Sequence, residues 1–477
     1  MIKQIVLFLF LTSLIFAECE NSLTTTNHEI MVDEKPLKYQ ATCGFLDHFD
    51  ENGELNAKIF FTAYVKEDED LTKRPITFCF NGGPGSSSVW VHMGALGPKR
   101  FPTDQEGEKI TPPYDWVPNN ETLLDTSDLV FIDPVGTGFS YTIDPESKEF
   151  WEVDSDISSV GNFIRSYITQ FNRWRSPKYL AGESYGTTRA AGLSHYLHSD
   201  GIYLNGVILI SIALDYSLIV DSLANPLSSA LLLPTLAATS WHYNKLPQSV
   251  TLEETVQEAV SFLYDEYFQT LLKGSSASET EKDYVAGKLA NYSALPKSHL
   301  LKNRLKVDML DYSTRFLDEE NLLVGLYDTR YHGNAYNDEW HFYSDPSISL
   351  IDGVFTSGFS AYVREELGMI NPKKYETLSH KAHQNWDFST SKYNAFSTAE
   401  HLRSSMQTNP ELKIYVASGY FDLVTPFAAG EYLFSQFDDV FQPRIETHRY
   451  IGGHMFYLDR TTHPRFKNDL KAFYSKD

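Results

Sequence analysis

One stretch, Lys178 to Leu197, constrains the chain more than any other. Lys178-Tyr179-Leu180-Ala181 is a short apolar-rich run suited to a buried strand, and Thr188 to Leu197 has a helix-compatible composition. Between them stands Gly182-Glu183-Ser184-Tyr185-Gly186, which fits a Gly-x-Ser-x-Gly turn that lifts a serine hydroxyl above the end of a sheet. Glycines at 182 and 186 suit so tight a turn, where a side chain would strike the neighbouring strand or helix. Ser184 is the candidate nucleophile.

The segments around this turn predict an α/β fold. Leu37 to Leu46 and Leu55 to Val65 read as strands, with Asn52-Gly53 as a hairpin signal between them, so an antiparallel edge should open the sheet. Pro75 to Phe80 alternates towards a central strand and runs into Asn81-Gly82-Gly83-Pro84-Gly85. These glycines bring backbone N–H groups close to whatever binds at the strand's carboxyl end. Asp128 to Asp133 is the next buried strand, followed by a second close-approach loop, Pro134 to Ser140. Ile157, Val160, Ile164, Ile168 and Phe171 recur at helical spacing, with Asp154 and Ser155 as expected caps. Gly206 to Ala213 supplies another strand, and strand-helix-strand order implies a mostly parallel sheet covered on both faces.

From about Asp215 to Trp386 the strand signals stop. Thr251-Leu252-Glu253-Glu254 is a capping box that opens a helix expected to end near Gly274. The predicted organisation is therefore an export signal over 1–17, a first core part over 18–214, a helical cap inserted at 215–386 and a second core part over 387–477. Strand signals resume at Leu412 to Ala417 and Arg444 to Tyr450, each leading into a loop that carries a candidate catalytic residue.

A serine hydroxyl needs an imidazole to take its proton and a carboxylate to orient that imidazole. On this fold both follow the serine, on loops after late strands. Asp422, in Gly419-Tyr420-Phe421-Asp422, and His454, in Gly452-Gly453-His454-Met455, occupy those places. The backbone N–H groups of Gly83 and Tyr185 would face a tetrahedral oxyanion, where one donor is worth on the order of 3 kcal/mol. His380 and His383 have no companion ligand signature and read as exposed helix polarity, so no metal and no cofactor is expected.

Composition narrows the partners. The 477 residues carry 63 acidic and 40 basic side chains, a net charge of -23 that repels a phosphate backbone and argues against nucleic acid. Lys3, the apolar run Ile5 to Phe16 and Ala17 read as an export signal, which makes the expected location secreted or periplasmic. No later run is long enough to span a membrane. Acidic Glu18 argues against a lipid anchor on Cys19. With Cys19, Cys43 and Cys79 alone there is no disulfide framework; a Cys19 to Cys43 bridge stays open, and Cys79 reads as a small buried apolar residue.

Taken together, Asn81-Gly82-Gly83-Pro84-Gly85-Ser86-Ser87-Ser88, Asp133 to Tyr141, Gly182 to Gly186 and the Asp422 and His454 loops resemble the serine carboxypeptidase family of α/β hydrolases. The last two loops look more like its bacterial branch than its vacuolar and lysosomal one. The resemblance implies removal of C-terminal residues from peptides through an acyl-enzyme. It also implies that Asn81, Gly82 and Glu183 bind the substrate, Asn81 and Glu183 recognising its terminal carboxylate. Glu183 then needs a proton, which favours acidic pH. Three departures stand out. Ser86 replaces a family cysteine, so one family disulfide is absent, and Ala95 stands where the family has a second glutamate. Thr187 and Thr188 replace a small glycine pair and crowd the first helical turn. An esterase, acyltransferase or proline aminopeptidase on the same fold remains open, as does a secreted binding protein that has lost catalysis.

Overall fold

In the computed structural model, which describes residues 23–103, 111–222, 224–334, 344–388 and 396–476, the strand signals converge on one ten-stranded sheet. The expected export signal and Cys19 lie outside the described residues. The strands are β1 (Thr24–Val32), β2 (Lys35–Phe49), β3 (Leu55–Lys66), β4 (Ile76–Phe80), β5 (Asp128–Ile132), β6 (Lys178–Ser184), β7 (Gly206–Ile212), β8 (Lys413–Gly419) and β9 (Ile445–Tyr450). Their spatial order is β1-β2-β3-β5-β4-β6-β7-β8-β9, with the short Tyr141–Thr142 strand paired to β3. Pairing is antiparallel from β1 to β5 and parallel from β5 to β9. This is the mostly parallel sheet of an α/β hydrolase.

The sequence reading did not anticipate β1. Its residues are mainly polar, and only Ile30 and Val32 are buried. Its place is set instead by a two-residue turn, Asp33-Glu34, with both residues at positive φ (49° and 62°). That geometry suits the twist of a hairpin and pairs Val32 with Lys35 onwards to Thr24 with Cys43. Cys43 and Cys79 are free and buried.

Alternation along the strands builds two cores. Phe78, Phe80, Val130, Leu180, Leu209 and Val416 face one side, whereas Cys79, Phe131, Ala181, Ile210 and Ala417 face the other. Helices α1 (Val153–Gln170) and α2 (Tyr185–Ser199) cover the first face with Ile157, Val160, Ile164, Leu193 and Leu197. The expected capping of α1 by Asp154 and Ser155 is not what forms. Glu152 is the N-cap residue and makes no side-chain cap bond, while Asp154 and Asp156 lie in the first turn, where acidic side chains complement the helix dipole.

Between β7 and β8 the described residues add no strand to the central sheet. They include α3 (Leu227–His242), α4 (Leu252–Phe262), α5 (Phe359–Glu365), α6 (His380–Gln384) and α7 (Ala399–Thr408), with further helices between α4 and α5, among them the 15-residue Glu279–Ser293. The Thr251 capping box forms as expected, and the helical run it opens passes through a π turn to end at Gly274. A separate two-stranded sheet joins Leu322–Val324 to His332–Asn334. The α5 segment packs beneath the second face, where the Tyr64 and Tyr362 hydroxyls meet at 2.8 Å. After β8 come α8 (Phe427–Ser435) and, after β9, α9 (His463–Ser475), which buries Phe466, Leu470 and Phe473 on that same face.

Candidate active site

Every sequence-predicted site residue belongs to a loop or turn at the carboxyl ends of β4, β6, β8 and β9. Ser184 closes β6 with φ 60° and ψ -129°, a backbone conformation that costs energy for a non-glycine residue and that holds its side chain at the crest of the turn. Gly82, Gly83, Asn81, Glu183, Ser184 and His454 line one cavity of about 310 Å³, together with Trp90, Tyr327, Ile348 and Leu378 among others.

Asp422 and His454 meet as the triad pattern requires. His454 Nδ1 lies 2.7 Å from Asp422 Oδ2, and because the carboxylate only accepts, the ring donates from Nδ1 and leaves Nε2 as the basic nitrogen. Backbone N–H groups of Val424 (2.9 Å) and Thr425 (3.0 Å) bind Asp422 Oδ1, and the Thr425 hydroxyl donates to Oδ2 at 2.6 Å. Burial alone would lower the His454 imidazole. The charge and hydrogen bond of Asp422, with the charge of Glu183, outweigh burial and raise it above its ordinary value.

The Gly82-Gly83 side of the cavity is built by close approach. A Cβ on Gly82 would sit 2.4 Å from the Tyr185 backbone nitrogen and 2.5 Å from that of Gly186, so only glycine lets this loop lie against the start of α2. Gly83 follows at φ +101°, also a glycine conformation. The loop is fastened from several directions. Arg189 Nη1 donates to the Asn81 carbonyl at 2.6 Å, the Ser86 N–H to the Gly82 carbonyl at 3.0 Å, and Trp90 Nε1 to Ser86 Oγ at 3.1 Å. Ser86 Oγ in turn donates to the Thr377 carbonyl at 3.3 Å. Hydrogen bonds thus close the loop where the family pattern has a cysteine.

Thr187 and Thr188 use their bulk. The Thr187 hydroxyl donates to the Ser184 carbonyl at 2.7 Å and accepts from Ala213 N–H at 2.9 Å, while Thr188 Oγ1 donates to the Ala213 carbonyl. These bonds tie the first turn of α2 to the end of β7.

Beside Ser184, the Glu183 carboxyl is 2% exposed and accepts from the Tyr457 hydroxyl at 2.6 Å on Oε2. Asn81 Oδ1 accepts from Val91 N–H at 3.0 Å, which turns its amide NH₂ towards Glu183. Burial pushes the Glu183 carboxyl up to about 7, against the lowering effects of His454, Tyr457 and Asn81.

Several supporting residues escaped the sequence reading. The Tyr327 carbonyl accepts from His454 N–H at 2.6 Å, and Asp328 Oδ2 accepts from Gly453 N–H at 2.9 Å while pairing with Arg330 at 2.8 Å. Arg189 forks onto Asp156 through Nε (2.8 Å) and Nη2 (3.1 Å), wholly buried under the nucleophile turn. Only an arginine among small residues in Thr187 to Gly192 hinted at that pair. His380 and His383, read as exposed helix polarity, are exposed and also line the cavity, with His383 Nδ1 against the Pro84 carbonyl at 3.0 Å. Among the described residues no group of three or more histidine, cysteine or acidic side chains fits a metal ion, and no helix is long and apolar enough to cross a membrane.

Over parts of its length the chain is similar to known proteins. Serine carboxypeptidase-like 34 of Arabidopsis thaliana is 28% identical over 173 residues, 35% of this chain and 32% of that protein. The retinoid-inducible serine carboxypeptidase of Rattus norvegicus is 31% identical over 150 residues, 30% of each chain. The vitellogenic carboxypeptidase of Aedes aegypti is 29% identical over 150 residues, 30% of this chain and 29% of that protein. These matches span about a third of the relatives' length. The serine carboxypeptidase family pattern itself matches residues 32–447, from the second core-facing residue of β1 into β9. A match across most of the sheet and its insertion places the chain in the serine carboxypeptidase family.

Proposed function

We propose that this protein is a serine carboxypeptidase that removes single residues from the free C-terminus of peptides. The observation that carries the reading is the meeting of Ser184, His454, Gly83, Asn81 and Glu183 in one cavity, with His454 held through Nδ1 by Asp422.

The chemistry follows from those positions. Neutral His454 accepts the Ser184 proton at Nε2 as Oγ attacks the scissile carbonyl, and Asp422 stabilises the imidazolium that forms. The carbonyl oxygen becomes an oxyanion facing the N–H groups of Gly83 and Tyr185. His454 then returns the proton to the leaving amine, which departs as the C-terminal amino acid and leaves an acyl ester on Ser184. Water, activated by the same imidazole, hydrolyses that ester. The substrate's terminal carboxylate lies against Asn81 and Glu183. It requires Glu183 in the neutral form, because two facing carboxylates repel. In this reading binding of the terminal carboxylate falls away above about pH 7, where the Glu183 proton is lost, and attack falls away at lower pH, where His454 is protonated.

The insertion at 215–386 acts in this reading as a cap that restricts access, since Tyr327, Ile348, Leu378, His380 and Gln384 all line the cavity. The family relationship and the export signal read over 1–17 support a secreted or periplasmic location. The test is hydrolysis of blocked dipeptides with a free or an amidated C-terminus. The free acid should be cleaved far faster, and Ser184→Ala should lose about 10⁴-fold or more in rate. Equal cleavage of acid and amide would instead favour an esterase or a less end-specific peptidase.

A further inference from the structure

The proton ledger around Glu183 has an unusual member. Where the family pattern has a second glutamate this chain has Ala95, whose side chain is a methyl group. Its carbonyl is engaged by Asn119 Nδ2 at 2.8 Å and His463 Nε2 at 3.0 Å. The group that reaches Glu183 comes from the turn after the histidine. The Tyr457 ring lies against Gly94, where a Cβ would stand 2.9 Å from Cε2, and its hydroxyl binds Glu183 Oε2 at 2.6 Å. Glu183 and Tyr457 are both buried, and Asn81 bonds to each of them.

We propose that Tyr457 is a positioning residue that fixes which oxygen of Glu183 faces the substrate and sets the upper pH limit for binding a C-terminal carboxylate. The inference rests on the carboxypeptidase reading above and deepens it.

A glutamate partner could share a proton with Glu183 and hold it there. A tyrosine hydroxyl keeps its own proton, since burial and the neighbouring Glu183 charge raise its ionisation well above the ordinary tyrosine value. In this geometry Tyr457 donates and Oε2 accepts. When Glu183 is neutral its proton is left to Oε1, the oxygen free to donate to an incoming carboxylate. When Glu183 is charged, the Tyr457 bond stabilises that charge and so lowers the pH at which the proton is lost. The other charged or titratable groups facing Glu183 are His454, which also lowers its ionisation, and Asp422, which raises it. Both belong to the triad and are untouched by a change at 457.

The sign of the effect is fixed. Removing the hydroxyl in Tyr457→Phe withdraws a donor from the carboxylate, so Glu183 holds its proton to higher pH. The alkaline limb of kcat/KM for a free-acid dipeptide should move up by about one pH unit or more, given the usual strength of a hydrogen bond to a charged group. The alkaline limb for a simple ester lacking a carboxylate should stay where it is. A free-acid limb that stays put or moves down overturns the proposal. Fluorophosphonate labelling of Ser184 and an unchanged thermal unfolding transition show that the variant is folded. Should Tyr457→Phe fail to fold, a ring-fluorinated tyrosine at 457, a stronger donor of the same shape, should move the free-acid limb down, and an unmoved limb overturns the proposal. If the unmodified protein cleaves acid and amide alike, the carboxypeptidase reading falls and this inference with it. If the unmodified protein discriminates and the limb does not move, only the role of Tyr457 falls.

Discussion

Asp156 and Glu183 are two carboxylates on either side of the nucleophile turn, each about 2% exposed, yet they are held in contrasting surroundings. Asp156 lies beneath α2 and receives a two-pronged bond from Arg189, with a longer 3.3 Å bond from the Tyr185 hydroxyl. Glu183 opens on the cavity and receives neutral donors only, from Tyr457 and Asn81. The first arrangement cancels a buried charge and ties the helix to the Asn81 carbonyl through the same guanidinium. The second gives the carboxyl no charged hydrogen-bond donor, and burial outweighs the charge of His454 in pushing it up to about 7. A paired acid supports the frame, and an acid with no ion-pair partner can keep a proton for a ligand that accepts it.

That contrast can be broken experimentally, beginning with its strongest consequence. Asp156→Ala strands the Arg189 charge in the interior and should cost about 3–5 kcal/mol, read as a large fall in the urea unfolding midpoint. A loss under about 1 kcal/mol would mean that the pair is not the support described here.

Glu183→Gln should have a smaller effect that depends on pH. The folded carboxyl loses its proton near 7, and the unfolded one near the ordinary 4.5, so between those values the folded state alone keeps it. Stability from this group is complete below about pH 4.5 and is lost as pH rises through 7, by about 3 kcal/mol in all. The amide cannot ionise, so the variant should overtake the unmodified protein in unfolding midpoint between pH 5 and pH 8. Asp133, which burial also pushes up to about 7, titrates in both proteins and drops out of the difference. Parallel pH curves would refute the assignment. The smallest effect belongs to Tyr185→Phe, which removes the long bond to Asp156 and should lower stability by about 1 kcal/mol or less.

The same contrast separates what the sequence disclosed from what it hid. Ser184, Asp422, His454 and the Gly82-Gly83 loop were legible because each stands in a local turn whose residue types follow from the required backbone, next to a strand whose alternation is visible. Asp156 with Arg189, Tyr457 with Glu183 and Asp328 with Arg330 and Gly453 were not. Apart from the short Asp328–Arg330 link, each joins segments tens to hundreds of positions apart through buried side chains, and a charged or phenolic residue in a helix or turn looks the same in sequence whether it faces water or the interior. Strand β1 was missed for a related reason: its own apolar pattern is weak, and the long neighbouring strand supplies the pairing.

The fastening of the Gly82-Gly83 loop has a consequence for redox chemistry at the rim of the cavity. Ser86, Trp90, Thr377 and Arg189 secure the loop with hydroxyl, indole, carbonyl and guanidinium groups, and Cys43 and Cys79 are unpaired in the sheet. Among the described residues no disulfide shapes that rim, and the bonds that secure it beside Ser184 use groups whose chemistry does not change with thiol redox state.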